Sequence, residues 1–279
     1  MKAIKICSCF GHEFMALQFA KAFGCDVYIC PNKDDENEYK VEAEKIFAFM
    51  APFYRHLEIV PFAQKDQLDA RDIIGELKAG NLPVEVWEDF FSTALKPTIY
   101  ETPVYHLGTT PVLMVPQKLV SDGQCGVTAQ QQSLNPELFS FLKNENVNLV
   151  LGQHFHKVND LENVKALAEE FKMYVPGLEE NTEVLGIRGV LHEKYLRMYA
   201  NLKASVGIAG THTWILLTCF PQVPQIILYN INGVENWAEI AACARRHGRK
   251  VYALGFTENS DMSVLKEHLT AMWKSLKIA

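Results

Sequence analysis

Short apolar runs alternate with amphipathic segments along the whole chain, a pattern typical of α/β proteins. In the first half, apolar runs at residues 3–9, 25–30 and 57–61 predict buried strands. Apolar residues recur at helical spacing between and after these runs. The predicted helices cover residues 14–23, 39–50, 69–78 and 84–95, and residues 10–13 are predicted as a turn.

A second series of strands and helices begins after residue 135. Its predicted strands are residues 147–151, 206–209, 225–229 and 251–254. Its predicted helices are residues 136–144, 161–171, 191–202, 212–220, 236–247 and 261–276. Ser260 or Asp261 is expected to cap the last helix. Residues 98–126 contain the apolar run 112–115. The stretch as a whole fits neither the strand pattern nor the helix pattern, because it is rich in Pro, Gly, Thr and Tyr.

The two series predict an α/β protein with two Rossmann-like, doubly wound domains. The chain has 279 residues, which exceeds the usual size of one domain. We place the first domain at residues 1–130 and the second at residues 131–279. Strands that alternate with helices form mainly parallel sheets. The first-half aromatic residues, Phe90 and Phe91 among them, are expected in a core.

Charge and composition narrow the classes of function. The formal net charge of −6 argues against a nucleic-acid surface, which needs clustered Lys and Arg. The closest basic run, residues 245–250, suits the C-terminus of a predicted helix. The seven cysteines, Cys243 among them, lack the spacing of zinc or disulfide motifs, so we expect a reducing, cytoplasmic location. No apolar run reaches membrane-spanning length, and peripheral contact with a membrane stays open.

The most informative segment follows the apolar run at residues 206–209. Gly210 breaks the predicted strand, and Thr211 can cap a helix that begins near His212. Open α/β sheets bind ligands at such strand-to-helix turns. A helix start presents unpaired N–H groups and a positive dipole end, which suit a phosphate. Gly210, Thr211, His212 and Thr213 therefore predict a phosphate site, with a plain helix cap as the alternative.

Gly11, His12 and Glu13 stand at the corresponding place after the first strand. Glycine permits close approach to a ligand. Histidine or glutamate can act as a general base, so His12 and Glu13 are both candidates. The alternative is an ordinary first helical turn, where the dipole favours Glu.

Three further residues are candidates for ligand binding. His154 and Lys157 follow the strand predicted at residues 147–151, where Lys157 could neutralise a phosphate. Arg188 lies in a glycine-framed loop and could pair with phosphate or with a nearby glutamate. No metal or other cofactor is expected, because no set of three ligands and no Asp-x-Asp motif is evident.

Residues 191–229 resemble the GT-B glycosyltransferases, nearest to the ADP-heptose-type glycosyltransferases of lipopolysaccharide synthesis. In that family a helix and a strand lead to an Asp-Thr-Gly-x-x-His turn, then a helix and a Pro-containing link to a strand. Here Thr211 and His212 hold the Thr-His step, and residues 224–229 hold the link and strand. Gly207, Ile208 and Ala209 stand where the family has Asp-Thr-Gly.

The resemblance implies a fold, a reaction and roles for residues. It implies two domains facing a cleft and a metal-independent transfer of sugar from a nucleotide-diphosphate donor to a glycan or small acceptor in polysaccharide biosynthesis. The family's base is an Asp after a Gly in the first turn, and Glu13 or His12 would take its place. Lys157 would match the family's phosphate-binding Lys. Epimerisation or hydrolysis of a sugar nucleotide, and non-catalytic binding of a nucleotide or sugar, remain alternatives.

Overall fold

The computed structural model describes a large part of the chain, with gaps. The described residues are 3–6, 10–30, 43–44, 47–48, 50–51, 54–78, 82–93, 112–115, 138, 140–142, 148–151, 169, 202–209, 213–214, 216–217, 220–232, 236–257 and 259–276. The protein is α/β, and all the pairings between its strands in these ranges are parallel.

The first sheet has three strands in the order β1-β2-β3. They are β1 (Ala3–Ile6), β2 (Asp26–Ile29) and β3 (Leu57–Ile59). The Tyr54 hydroxyl lies 2.6 Å from the carbonyl oxygen of Cys25 and 3.1 Å from that of Ala20. This side chain thereby ties the segment before β3 to the start of β2.

The second sheet has five strands in the order β5-β4-β6-β7-β8. They are β4 (Val112–Val115), β5 (Asn148–Leu151), β6 (Leu202–Ile208), β7 (Gln225–Asn230) and β8 (Val251–Phe256). The chain adds β5 on one side of β4 and then returns to add β6 on the other side. The order of strands therefore reverses between β4 and β6.

Five helices have described bounds: α1 (Phe10–Phe23), α2 (Ile73–Lys78), α3 (Val84–Ser92), α4 (Trp237–Arg246) and α5 (Met262–Ser275). Residues 213–214 and 216–217 are also helical, and residues 62–67 form a 3-10 helix. The Asn236 side chain accepts the Glu239 N–H at the start of α4. Asp261 accepts the N–H groups of Ser263 and Val264, so Asp261 is the predicted cap of α5.

An aromatic core joins α1, α3, α4 and Trp214 within one part of the chain. Trp87 stacks on Trp214 with ring centroids 5.5 Å apart and an interplanar angle of 12°. The buried rings of this core are those of Phe19, Trp87, Phe90, Phe91, Trp214 and Trp237. The expectation that Phe90 and Phe91 are core residues is confirmed.

By its contacts the chain divides into two units. The first comprises residues 1–98, 214–221 and 234–248, and the second comprises residues 99–213, 222–233 and 249–279. The predicted boundary between residues 130 and 131 falls inside the second unit. The first unit contains the three-stranded sheet and the aromatic core, and the second contains the five-stranded sheet.

Two helix starts differ from the prediction. α1 begins at Phe10, so residues 10–13 are its first turn and not a separate turn. Gly11 is tolerated there because a helix start tolerates glycine better than a helix interior does. α2 begins at Ile73 and not at residue 69, because the Arg71 backbone pairs with β1 through bonds of 3.0 Å to Ala3 and Lys5.

Two strands of the second sheet also differ from the prediction. β6 begins at Leu202, inside the helix predicted for residues 191–202 and four residues before the strand predicted at 206. It pairs with β4 on one side and β7 on the other, and these ladders outweigh local helical spacing. The apolar run at residues 112–115, which the sequence left unassigned, is the interior strand β4, between β5 and β6.

Candidate functional site

The segment predicted to bind phosphate starts directly after the carboxyl end of β6. The Ala209 N–H donates to the Leu228 carbonyl at 2.7 Å, which keeps the chain beside β7 up to this point. Thr213 is helical and buried, with 3% of its surface exposed. Gly210, Thr211 and His212 connect these two fixed points and lie outside the described residues.

The strand order makes the carboxyl end of β6 a place where a ligand site is expected. β4 and β6 are neighbours, and the order of strands reverses between them. In open α/β sheets, ligands bind outside the carboxyl ends of the strands at such a reversal. β6 ends at Ile208, beside this reversal, and residues 210–213 follow it in the sequence. The site itself stays a prediction, and what the structure adds is that the preceding strand ends where such sheets bind ligands.

The other candidates of the second half lie outside the described residues. β5 ends at Leu151, so His154 and Lys157 follow the carboxyl end of the strand next to β4 by three and six residues. Arg188 lies in a stretch of the chain that is likewise outside the described ranges. The roles of these three residues stay predictions.

Gly11, His12 and Glu13 form part of the first turn of α1, which follows β1. Further along α1, Ala16, Leu17 and Phe19 are buried. This strand-then-helix order is compatible with a ligand site, although the turn predicted for residues 10–13 is the first turn of α1 itself. It also agrees with the alternative, an ordinary first turn with Glu near the positive end of the dipole.

A polar cluster that the sequence did not predict joins α3 to α4 within the first unit. Glu88 Oε2 lies 2.6 Å from His247 Nε2, and Arg246 Nε donates to Glu88 Oε1 at 2.8 Å. A second Arg246 nitrogen, Nη2, also contacts Oε1. The ligand-type atoms of Glu88, Cys243 and His247 all lie within 4.8 Å of one another.

The cluster shifts the protonation of its members. Hydrogen bonds from His247 and then from Arg246 lower the pKa of Glu88 from 4.5 to about 2, so its carboxylate is charged at neutral pH. Burial, followed by the hydrogen bond to Glu88, raises the pKa of the Cys243 thiol to about 12. In the protein without bound ligands the thiol is therefore protonated.

Neighbouring elements hold the cluster in place. Cys243 and His247 are four residues apart and thus share one face of α4 and its C-terminus. The Phe91 ring lies roughly parallel to the His247 ring, at 25° with centroids 6.5 Å apart. The Cys-x-x-x-His spacing was the available sequence signal. The sequence alone does not show that Glu88 joins these two residues, because Glu88 lies 159 residues before His247.

A cavity of about 580 Å³ also opens in the first unit. Its described lining residues are Ala3, Phe23, Leu68, Asp69, Ala70, Arg71, Val86 and Asp89. None of the residues predicted to form a site is among these. In the parts of the chain that the structure describes, none of the helices is both long and apolar enough to span a membrane.

Comparisons with known proteins give one structural likeness. No protein family matches the sequence, and no curated protein matches it. The fold is similar to that of E. coli heptosyltransferase WaaC with ADP-2-deoxy-2-fluoro heptose. The two chains share 12% identity and a TM-score of 0.49 over 99% of each. That protein is of the kind which residues 191–229 resemble, and the proposals that follow rest on the residues of this chain.

Proposed function

We propose that this protein is a glycosyltransferase that moves a sugar from a nucleotide-diphosphate donor to a glycan or small-molecule acceptor without a metal ion. One observation carries the proposal: β6 ends at Ile208 where the strand order of the parallel sheet reverses, and residues 210–213 come directly after it in the sequence. This is the ligand position of open α/β sheets, and a helix start there suits a phosphate group. The Thr-His step in this segment supports the same assignment.

The diphosphate would be held by the backbone N–H groups of residues 210–213 and by the hydroxyl of Thr211. Lys157 and Arg188 would neutralise the phosphate charge, and His154 would donate a hydrogen bond. These groups would stabilise the departing nucleotide diphosphate as negative charge develops on it, which is the work that a metal ion does elsewhere. Thr213 is buried, so in this proposal it mainly fixes the start of the helix.

The acceptor would be activated by a base from the first turn of α1. Glu13 or His12 would take the proton of the acceptor hydroxyl as its oxygen bonds to the sugar's anomeric carbon. The bond from that carbon to the diphosphate oxygen breaks in the same transfer. The proton ends on the base, and the electron pair of the broken bond leaves with the nucleotide diphosphate.

The direct test is binding followed by turnover. A panel of nucleoside diphosphates and sugar nucleotides is screened by thermal shift, because a ligand at 100 times its Kd adds about 2.7 kcal/mol of stability. Thr211→Val and Lys157→Ala should weaken the best ligand. Thr270→Val is the matched control, since the Thr270 hydroxyl donates to the Lys266 carbonyl within α5. The proposal fails if no nucleotide stabilises the protein, or if all the variants bind alike.

Turnover assays distinguish sugar transfer from hydrolysis, epimerisation and non-catalytic binding. Product that forms only when an acceptor is present, and that forms equally well in chelator, supports metal-independent transfer. Donor hydrolysis or epimerisation without acceptor would assign the site to those reactions instead. Tight nucleotide binding with no turnover of any donor would leave a binding protein.

A further inference from the structure

We propose that Glu88, Cys243 and His247 form a binding site for a zinc-type divalent ion that clamps α3 to α4. The site does not rest on the proposed transfer reaction, because α3 and α4 contain none of the residues assigned to the nucleotide or to the base. It is built within one unit of the chain from two helices with described bounds.

The donor set is the first argument. A sulfur, an imidazole nitrogen and a carboxylate oxygen converge within 4.8 Å. These are the three donor types that Zn²⁺ takes in proteins, and a magnesium or calcium site would present oxygen alone. Cys243 is fully buried, while Glu88 and His247 are partly exposed at 36% and 23% of their side-chain surface. An ion held by these three groups would keep one position toward solvent, filled by water.

The distances fit after a small adjustment. Ligands at zinc distance in a tetrahedron lie about 3.3 Å apart, so the 2.6 Å between Glu88 Oε2 and His247 Nε2 must open by less than an ångström. The Glu88 side chain is the more exposed of the two, so a small rotation of its carboxylate about the Arg246 contact can open this distance. Cys243 stays fixed in α4 as the buried anchor of the site.

Arg246 sets the orientation of the carboxylate and is compatible with a cation nearby. It donates to Glu88 Oε1, which leaves Oε2 directed at His247. A carboxylate held on one oxygen and bound to metal through the other is a common arrangement around metal sites. On binding, the Cys243 thiol loses its proton to solvent, so the thiolate and the carboxylate offset the two charges of the ion, and the cluster keeps the single positive charge of Arg246.

The test uses cobalt as a spectroscopic stand-in for zinc in the full-length protein. We expect one equivalent of Co²⁺ to produce a thiolate-to-cobalt charge-transfer band and the intense visible bands of tetrahedral cobalt, and Zn²⁺ to abolish both. This experiment needs no variant, so it does not depend on how a substitution folds. Binding without a thiolate band would overturn the proposal, as would no binding at all.

Variants then identify the ligands. We expect a loss of zinc affinity of at least about 100-fold for each of Cys243→Ala, His247→Gln and Glu88→Gln. Loss of a residue that only supports a ligand lowers metal affinity by up to about 100-fold, and loss of a ligand itself should cost no less. The matched controls are Cys25→Ala, another buried cysteine of the same unit, and His56→Gln, whose side chain lies 3.5 Å from Asp26. If the controls and the ligand variants bind zinc alike, the cluster is an ion pair only and the proposal is wrong.

Discussion

Replacement of Phe90 by alanine tests the account of the aromatic core. Phe90 is fully buried on α3, and its ring centroid lies 4.3 Å from that of Phe19, 5.1 Å from that of Phe91 and 6.0 Å from that of Trp87. Truncation of a buried Phe to Ala removes about 3–5 kcal/mol of stability. The Phe90 ring has three aromatic partners, and each aromatic pair contributes about 0.5–1.5 kcal/mol beyond the burial of apolar area. We therefore expect the loss of stability to lie in the upper half of the range for truncation of a buried Phe.

The assay is urea unfolding followed by tryptophan fluorescence. Three of the four tryptophans lie in the first unit, and Trp273 lies in the second. A Trp273→Phe background therefore makes the signal report the first unit. Val84→Ala, an exposed position on α3, is the control and should change stability by less than about 0.5 kcal/mol. If Phe90→Ala costs no more than this control, the reasoning that places Phe90 at the centre of the core is wrong.

Three other predictions concern the base, a partly buried hydroxyl and a close contact. Glu13→Gln should lower kcat at least about tenfold and leave nucleotide affinity unchanged, whereas a dead His12→Ala beside an active Glu13→Gln would move the base to His12. Burial raises the pKa of the Tyr54 hydroxyl above 10.0. The stability that the protonated hydroxyl contributes is therefore fully present below pH 10 and is lost as pH rises through the higher pKa of the folded state. Tyr54→Phe should consequently reduce the loss of unfolding free energy at alkaline pH. A Cβ on Gly255 would lie 2.5 Å from Ile231 Cγ2, so Gly255→Ala should destabilise by about 1–3 kcal/mol in a urea titration, and an unchanged midpoint would contradict the contact.

The sequence predicted the elements whose periodic pattern is complete within a short window. α4, α5, β7 and β8 lie within a few residues of their predicted positions, because caps such as Asp261 and continuous apolar runs mark them locally. The prediction was poorer where a partner strand decides the conformation. Leu202 to Ser205 carry no strand signal of their own, and they are extended because β6 has a neighbour on both sides.

The same distinction between local signals and distant contacts applies to the candidate sites. A strand-to-helix turn such as the one predicted at residues 210–213 can be recognised from consecutive residues, and the sheet order adds that β6, the strand before it, ends at the reversal point. The cluster of Glu88 with Cys243 and His247 depends on how α3 packs on α4. Two of its three members form a Cys-x-x-x-His spacing in the sequence, but the third, Glu88, joins them only in the folded structure.

The first unit is assembled from three separate stretches of the chain, and this affects how the protein is made. Its last stretch, residues 234–248, supplies α4 and the partners of Glu88. A ribosome must therefore complete most of the polypeptide before that unit can close, and contacts spanning such sequence distances form slowly. Until then the apolar face of α3 has no Trp214 to stack on Trp87. A nascent chain of this design exposes its aromatic surface for much of its synthesis, which is the circumstance in which chaperones engage a polypeptide.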